Sequence, residues 1–537
     1  MFFIRKEDGT RFFNPRLIRS IKLVCDFGSY FKGEKVDNPF ADLELLIDRA
    51  VHLSAKNSLQ ALYDVVRRFY KEASVHKQNE MALDVNKAII ALMMAANPRN
   101  LLKNDPVKSC FEYFTDFQLF LREALHSREY QRILAYPDQT NSSFSSCLAD
   151  TVQTMAYDLY VAKPGLSEII SFIENIIHEA VHQQSREHVT AATVSKQFWN
   201  RLACDYAAMS KLIKHHPNGH LKKILQMVEE GNYKFYDPLM QHNLPIELYH
   251  LYCGDLKMIN LKVPAPIYQE HIQKALVVDE FKAFLRSLKG EKFLLFNFQD
   301  RTSWREHARS HSLEDLQNNP EFSKVLTVVT IPKETEFYNQ ESPYDKSFQT
   351  DVFINHLKEH LTDENAGFYL PKVFSKKVYV KFLDEATKMI SQLFFHSKNV
   401  LTKEERLDFI EITYFFLELK LLDLIKPNFF SLTCKDGVDV SSASNALLFA
   451  LLTLLNQDKF SDGDKEFLDL MIYGMPLLVR ERLMLHDRFN RMLLALKAFE
   501  SRKAELGSEL FLKLIKEAFV LLYDTPILES KISPCRN

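Results

Sequence analysis

The chain has 537 residues, 46% hydrophobic and 26% charged, the proportions of a folded globular protein too long for one ordinary core. Its 68 basic and 70 acidic residues leave a net charge of -2, which removes any global electrostatic case for nucleic acid as a partner. The seven cysteines are odd in number, scattered and without a C-x-x-C pair, which argues against a disulfide framework and for a reducing compartment.

The opening stretch MFFIRKEDGTRFF lacks the apolar core and small-residue cleavage site of a secretory signal. The longest apolar run, Ala446 to Leu455, falls short of the ~18 residues that span a bilayer. A cytoplasmic location is expected, with signal-independent export into a host cell as the alternative. From about residue 15 to 255, apolar residues recur at helical spacing, as in Leu43, Leu46, Ile47, Ala50 and Leu59, Leu62, Val65, Val66, Phe69. The predicted fold class is α+β, predominantly α-helical, and residues 1–262 are read as an α-helical region of roughly eight to ten helices.

Inside that region, His178-Glu179-Ala180-Val181-His182 spells H-E-x-x-H, with His188 six residues further on. The pattern resembles zinc peptidases, and the resemblance implies zinc held by His178, His182 and His188 with Glu179 as general base. Helical phase argues otherwise. The apolar stripe Ile169, Ile173, Ile176, Ile177, Ala180 and Val181 leaves both histidines on the opposite face, beside Ser171, Asn175 and Ser185. Zinc is therefore the alternative cofactor, and the leading reading needs none.

The paired prolines of Val263-Pro264-Ala265-Pro266 mark a predicted linker or boundary. Beyond a predicted helix at 269–288, strands are expected at 292–299, 325–331 and 429–433, separated by helices at 304–317, 348–361, 376–394 and 403–424. Residues 263–460 thus read as an α/β region, in which ligands bind at the carboxyl ends of the strands. Residues 461–537 read as a helical tail with helices at 467–473, 477–498 and 509–523. Arg480, Arg482, Arg488 and Arg491 in that tail are expected on a solvated face balanced by Glu481 and Asp487.

The most informative stretch is FFSLTCKDGVDVSSASNALLFALLTLLNQ, from Phe429 to Gln457. It reads as a buried strand, a polar loop beginning at Cys434, and a long Ala/Leu helix. Backbone N–H groups and a helix N-terminus stabilise both a thiolate and a bound phosphate, and Gly437 permits a tight curl. Cys434-Lys435-Asp436-Gly437-Val438-Asp439-Val440-Ser441 resembles the Cys-x5-Arg-Ser/Thr loop of the phosphoinositide-phosphatase branch of the cysteine phosphatases. Asp436 and Asp439 match the aspartates of myotubularin-like loops. Cys434, Lys435, Gly437 and Asp439 match the Cys-Lys-x-Gly-x-Asp of effectors from intracellular bacterial pathogens.

The resemblance implies Cys434 as nucleophile, Ser441 as its helper in turnover, and a phosphate cradle from Lys435 through Gly437 and Val438 to Ser441. It also implies a phosphorylated small molecule or phosphoinositide headgroup as ligand, with peripheral membrane contact or a host protein as further partners. Val440 stands where the arginine belongs, a loss worth ~3–4 kcal/mol of transition-state stabilisation on the scale of an oxyanion donor. An impaired enzyme or a pseudophosphatase is therefore expected, with Arg301 and Lys435 as candidate replacement cations. Glu334, Glu336 and Asp345, in a loop after the second strand, are candidate general acids, and Asp300 is a candidate helix cap. A non-catalytic helical scaffold or effector is the remaining alternative.

Overall fold

The computed structural model describes residues 3–5, 11–13, 43–73, 79–136, 142–161, 166–187, 197–215, 238–239, 243–271, 273–371, 374–480 and 482–535. Strands β1 (Phe3–Arg5) and β2 (Arg11–Phe13) pair antiparallel. The helices α1 (Leu43–Ala61), α2 (Tyr63–Ala73), α3 (Glu80–Ala95), α4 (Cys110–His126), α5 (Arg128–Ala135), α6 (Ser143–Tyr160), α7 (Leu166–Glu187) and α8 (Phe198–His215) follow. The helical reading of this stretch holds, and side-chain caps set several helix starts. Ser109 and Glu112 form a capping box on α4, and Asn79 accepts from Ala82 N at 2.9 Å on α3.

The sheet begins earlier than expected. β3 (Ile246–Cys253) and β4 (Leu256–Lys262) form a hairpin inside the stretch read as helical. The signal was a two-residue Gly254-Asp255 turn between alternating runs, with Gly254 at φ 57°. Val263 to Pro266 is not a solvated linker. All four residues are buried, and Ala265 N donates to Cys434 O at 3.0 Å, so the segment extends the sheet edge. The helix expected from 269 is instead a hairpin, β5 (Ile267–His271) and β6 (Lys274–Val277), followed by α9 (Asp279–Ser287).

Next come β7 (Phe293–Asn297), α10 (His307–Asn318), β8 (Leu326–Thr330), α11 (Thr350–His360), α12 (Lys376–Phe395), α13 (Lys403–Ile425), β9 (Phe429–Thr433) and α14 (Val440–Asn456). The tail holds α15 (Asp462–Asp469), a π-helical turn at Leu470–Gly474, α16 (Met475–Arg480), α17 (His486–Leu506), α18 (Ser508–Phe519) and β10 (Lys531–Pro534). The helix predicted over 477–498 is thus broken between Arg480 and His486, and the tail returns a strand to the sheet.

The six strands run in the order β10-β3-β4-β9-β7-β8, with β4, β9, β7 and β8 parallel and the two outer pairings on the other side antiparallel. Every residue of β7 and β9 is buried, as parallel strands covered on both faces require. Asn297 pairs with both Thr330 and Thr433, so the loops after β7, β8 and β9 leave the same edge side by side. On one face, Phe281, Phe284, Phe293, Phe429, Tyr157 and Tyr160 form an aromatic cluster that joins α6 and α9 to the sheet. α14 packs against β9 and β10, and its apolar sequence is buried almost all round. Among the described residues, no helix is long and apolar enough to cross a membrane.

Candidate functional site: the Cys434 loop

β9 sits between β4 and β7, so its C-terminal loop opens at the middle of the sheet edge. Cys434 leaves the strand, Lys435 to Asp439 form the loop, and Val440 begins α14. Gly437 has φ 67°, and a Cβ there would meet Lys262 Cε at 3.2 Å and Pro264 Cα at 3.3 Å, so both torsion and space call for glycine. The backbone amides of Gly437 and Ser441 favour the thiolate form of Cys434. Ser441, buried, donates its hydroxyl to Leu432 O, and Asn445 Nδ2 donates to Ser441 O at 2.8 Å, which ties loop, helix and strand together.

The acids of the loop are matched from an unexpected direction. Arg480 donates through Nε at 3.1 Å and Nη2 at 2.7 Å to Asp436 Oδ2. Arg482 forks onto both oxygens of Asp439 at 2.8 Å each, and Leu485 N adds a bond to Asp439 Oδ1 at 2.9 Å. The solvated face expected for these arginines is therefore corrected. Arg480 and Arg491 are buried, and the break between α16 and α17 turns Arg480 and Arg482 onto the loop. No periodic signal could have linked residues so far apart in the chain; the hint was that Arg480 to Arg482 sit between the apolar runs Met475–Val479 and Leu483–Leu485.

Asp436 also faces inward. Its Oδ1 accepts from Val438 N at 3.1 Å and lies 3.9 Å from the Cys434 sulfur. Burial would raise this carboxyl, but Arg480 outweighs it and holds the pKa below the usual range, so Asp436 is an anion. Burial, then the charges of Asp436 and Asp439, push the Cys434 thiol up to about 12 against the helping N–H groups of Ser441 and Gly437. Both effects favour the thiol over the thiolate at neutral pH.

Lys262, at the end of β4, was missed by the sequence reading. It is buried, donates to Asn243 Oδ1 at 2.6 Å, and Asn243 Nδ2 donates to Asp436 O at 2.8 Å. Burial draws its pKa down to about 8 against the pull of Asp436 and Cys434. Val438 is fully buried, and Lys435 is half-buried. Val440 is buried too, bordering a gap of about 20 Å³ together with Lys333, Tyr338, Glu411, Arg488 and Arg491.

Arg301 follows β7 on the same edge but is committed elsewhere. It pairs with Glu314 at 3.0 Å, donates to Glu364 O at 3.1 Å and lies over the Tyr369 ring. Among the described residues, no hydrogen bond or ion pair joins it to the Cys434 loop, whereas Arg480 and Arg482 pair directly with the loop's two aspartates and Lys262 lies against Gly437. Asp300 accepts from Thr302 N at 2.8 Å in a turn, and α10 starts only at His307. A cleft of about 620 Å³ lies beside these loops, lined in part by Asp300, Glu334, Glu336, His360 and Asp363. Burial raises Glu334 to about 6 although Arg488 pairs with it, while the backbone carbonyl of Asp345 accepts from Arg406 at 3.0 Å.

The zinc pattern falls only partly within the described residues. His178 and His182 are exposed on α7 with stacked rings 6.2 Å apart, and the buried stripe is Ile169, Ile173, Ile176 and Ala180. Glu179 does not gather with them into a ligand cluster, and His188 lies outside the described residues. No family model matches the chain, nor does any curated protein or solved structure.

Proposed function

We propose that this protein is phosphatase-like in its loop and non-hydrolysing in its chemistry, a pseudophosphatase that binds a phosphorylated small molecule or phosphoinositide headgroup at the Cys434 loop. The observation that carries the reading is the Asp436 carboxylate. It lies within the curl of the loop, against Val438 N and the Cys434 sulfur, with the Arg480 guanidinium forked onto its outer oxygen. An anion, an amide and an arginine are thus already arranged as a phosphate would need them, with the anion supplied by the chain itself.

A ligand phosphate would have to take Arg480 from Asp436. With burial and the Asp436 charge raising the Cys434 thiol, no covalent step is expected to follow. A second reading, a purely structural loop, is favoured by the complete internal pairing of Asp436 and Asp439.

Calorimetric titration with a panel of inositol phosphates, beside a phosphate-release assay, separates these readings. The expected result is no turnover by the wild type, weak binding, about 10-fold tighter binding by Asp436→Asn, and loss of binding by Arg480→Gln. Turnover abolished by Cys434→Ser would overturn the pseudophosphatase, and absence of binding in every variant would leave the structural loop.

A further inference from the structure

A second cluster of ligand-type side chains lies at the outer edge of the sheet, where β3 meets β10. Glu247 and His250 are three apart on β3, and in a regular strand they would face opposite sides. The register slips between Glu247 and Tyr249, where two steps on β3 oppose one on β4. This bulge puts Glu247 and His250 on one face.

β10 supplies the third group. Ser533 pairs with His250, and Cys535, two residues on and hence on the same face, continues the ladder with its N–H bonded to Leu248 O at 2.8 Å. Cys535 Sγ stands 3.2 Å from Glu247 Oε1, and His250 Nε2 stands 2.5 Å from the same oxygen. The three ligand atoms all lie within 4.8 Å of one another, and Glu247 is buried.

We propose that Glu247, His250 and Cys535 form a binding site for a divalent, borderline-soft cation, zinc foremost, clasping β10 to β3. Thiolate, imidazole and carboxylate together match zinc far better than calcium or magnesium. A tetrahedral ion with bonds of ~2.0–2.3 Å keeps its ligand atoms roughly 3.3–3.8 Å apart, so the His250–Glu247 hydrogen bond opens by about 1 Å as the ion replaces the shared proton. The other ring nitrogen is already positioned. His250 Nδ1 lies 3.3 Å from the Tyr252 hydroxyl, the outer-shell partner that would fix the ring with Nε2 facing the ion. Three protein ligands leave the fourth position for water or an exogenous ligand. Binding releases the thiol proton of Cys535, so affinity rises with pH.

The test uses the untagged, reduced full-length protein, stripped with a chelator and titrated with cobalt(II) and then zinc. The expected result is one equivalent of metal and a thiolate-to-cobalt charge-transfer absorption. That band should vanish in Cys535→Ser, survive in Cys204→Ser, and be displaced by zinc. His250→Ala should weaken binding at least ~10–100-fold, and Tyr252→Phe should weaken it by less. A wild type without the band, or a band that persists in Cys535→Ser, would overturn the site.

Discussion

Val440 stands at the first turn of α14 with its side chain beside Lys333, Arg488 and Arg491, whose charges are already matched by Glu411, Glu418 and Glu334. The Tyr338 hydroxyl also donates to Glu411, and Lys333 Nζ donates to Ser444 Oγ at 2.9 Å, so most of this buried network is already committed, with Arg491 Nη1 and Glu418 Oε1 left without a hydrogen-bond partner among the described residues. An arginine placed at 440 would bring a third guanidinium into a gap of about 20 Å³ rather than toward the Cys434 sulfur. Val440→Arg is therefore expected to destabilise the fold by ~3 kcal/mol or more, the usual cost of an unpaired buried charge, and to gain no phosphatase activity. Thermal unfolding and a phosphate-release assay on the same sample check this; a stable, active variant would show that the loop can be rebuilt from that position. The residue that the sequence made decisive is thus locked by its neighbours, and the arginines that matter come from another part of the chain.

At the scale of elements, helices from the first half of the chain are fastened to the tail. Glu500 on α17 caps α8 by accepting from Phe198 N at 3.0 Å and Trp199 N at 3.3 Å, and Tyr206 donates to Met484 O at 2.8 Å. Arg201 on α8 donates to both oxygens of Asp469 at 2.9 and 3.0 Å where α15 gives way to the π-helical turn. Burial nevertheless raises Asp469 to about 7, outweighing Arg201. A carboxyl raised on folding binds its proton more tightly in the folded state, so its contribution is complete below the ordinary carboxylate range and is lost as pH rises through about 7. Asp469→Asn should flatten the fall in melting temperature between about pH 4 and pH 7. An unchanged slope in a pH series of melting curves would show that the group is not the source.

Much of this element list was readable from the sequence, for physical reasons. β7 and β9 are fully buried parallel strands, so their apolar runs Phe293–Asn297 and Phe429–Thr433 stand out from their surroundings. β3 carried a weaker alternation, mixed with polar groups such as His250, and was absorbed into the helical texture around it. The Cys434 loop was readable because its spacing is local. The Arg480–Asp436 and Arg482–Asp439 pairs were not, because each closes across a break between helices that periodicity alone smooths over.

Among the described residues, one hydrophobic core runs through all three regions read from the sequence. Arg122 on α4 reaches Glu280 on α9 at 2.6 Å, Ile173 of α7 packs near Gly474 of the π-helical turn, and β10 closes the outer edge of the sheet. The position of β9 within that core has a consequence for how the protein is made. β4 and β7 emerge from the ribosome long before the strand that separates them, and among the described residues each pairs with β9 rather than with the other. Until Phe429–Thr433 is synthesised, both present open edges to any other nascent chain. A fragment of residues 1–428 should therefore aggregate on size-exclusion chromatography where the full chain does not, and a monodisperse fragment would show that the edges are protected in another way. Biosynthesis of this fold is in that sense a wait for its central strand, with the Cys434 loop formed only when the wait ends.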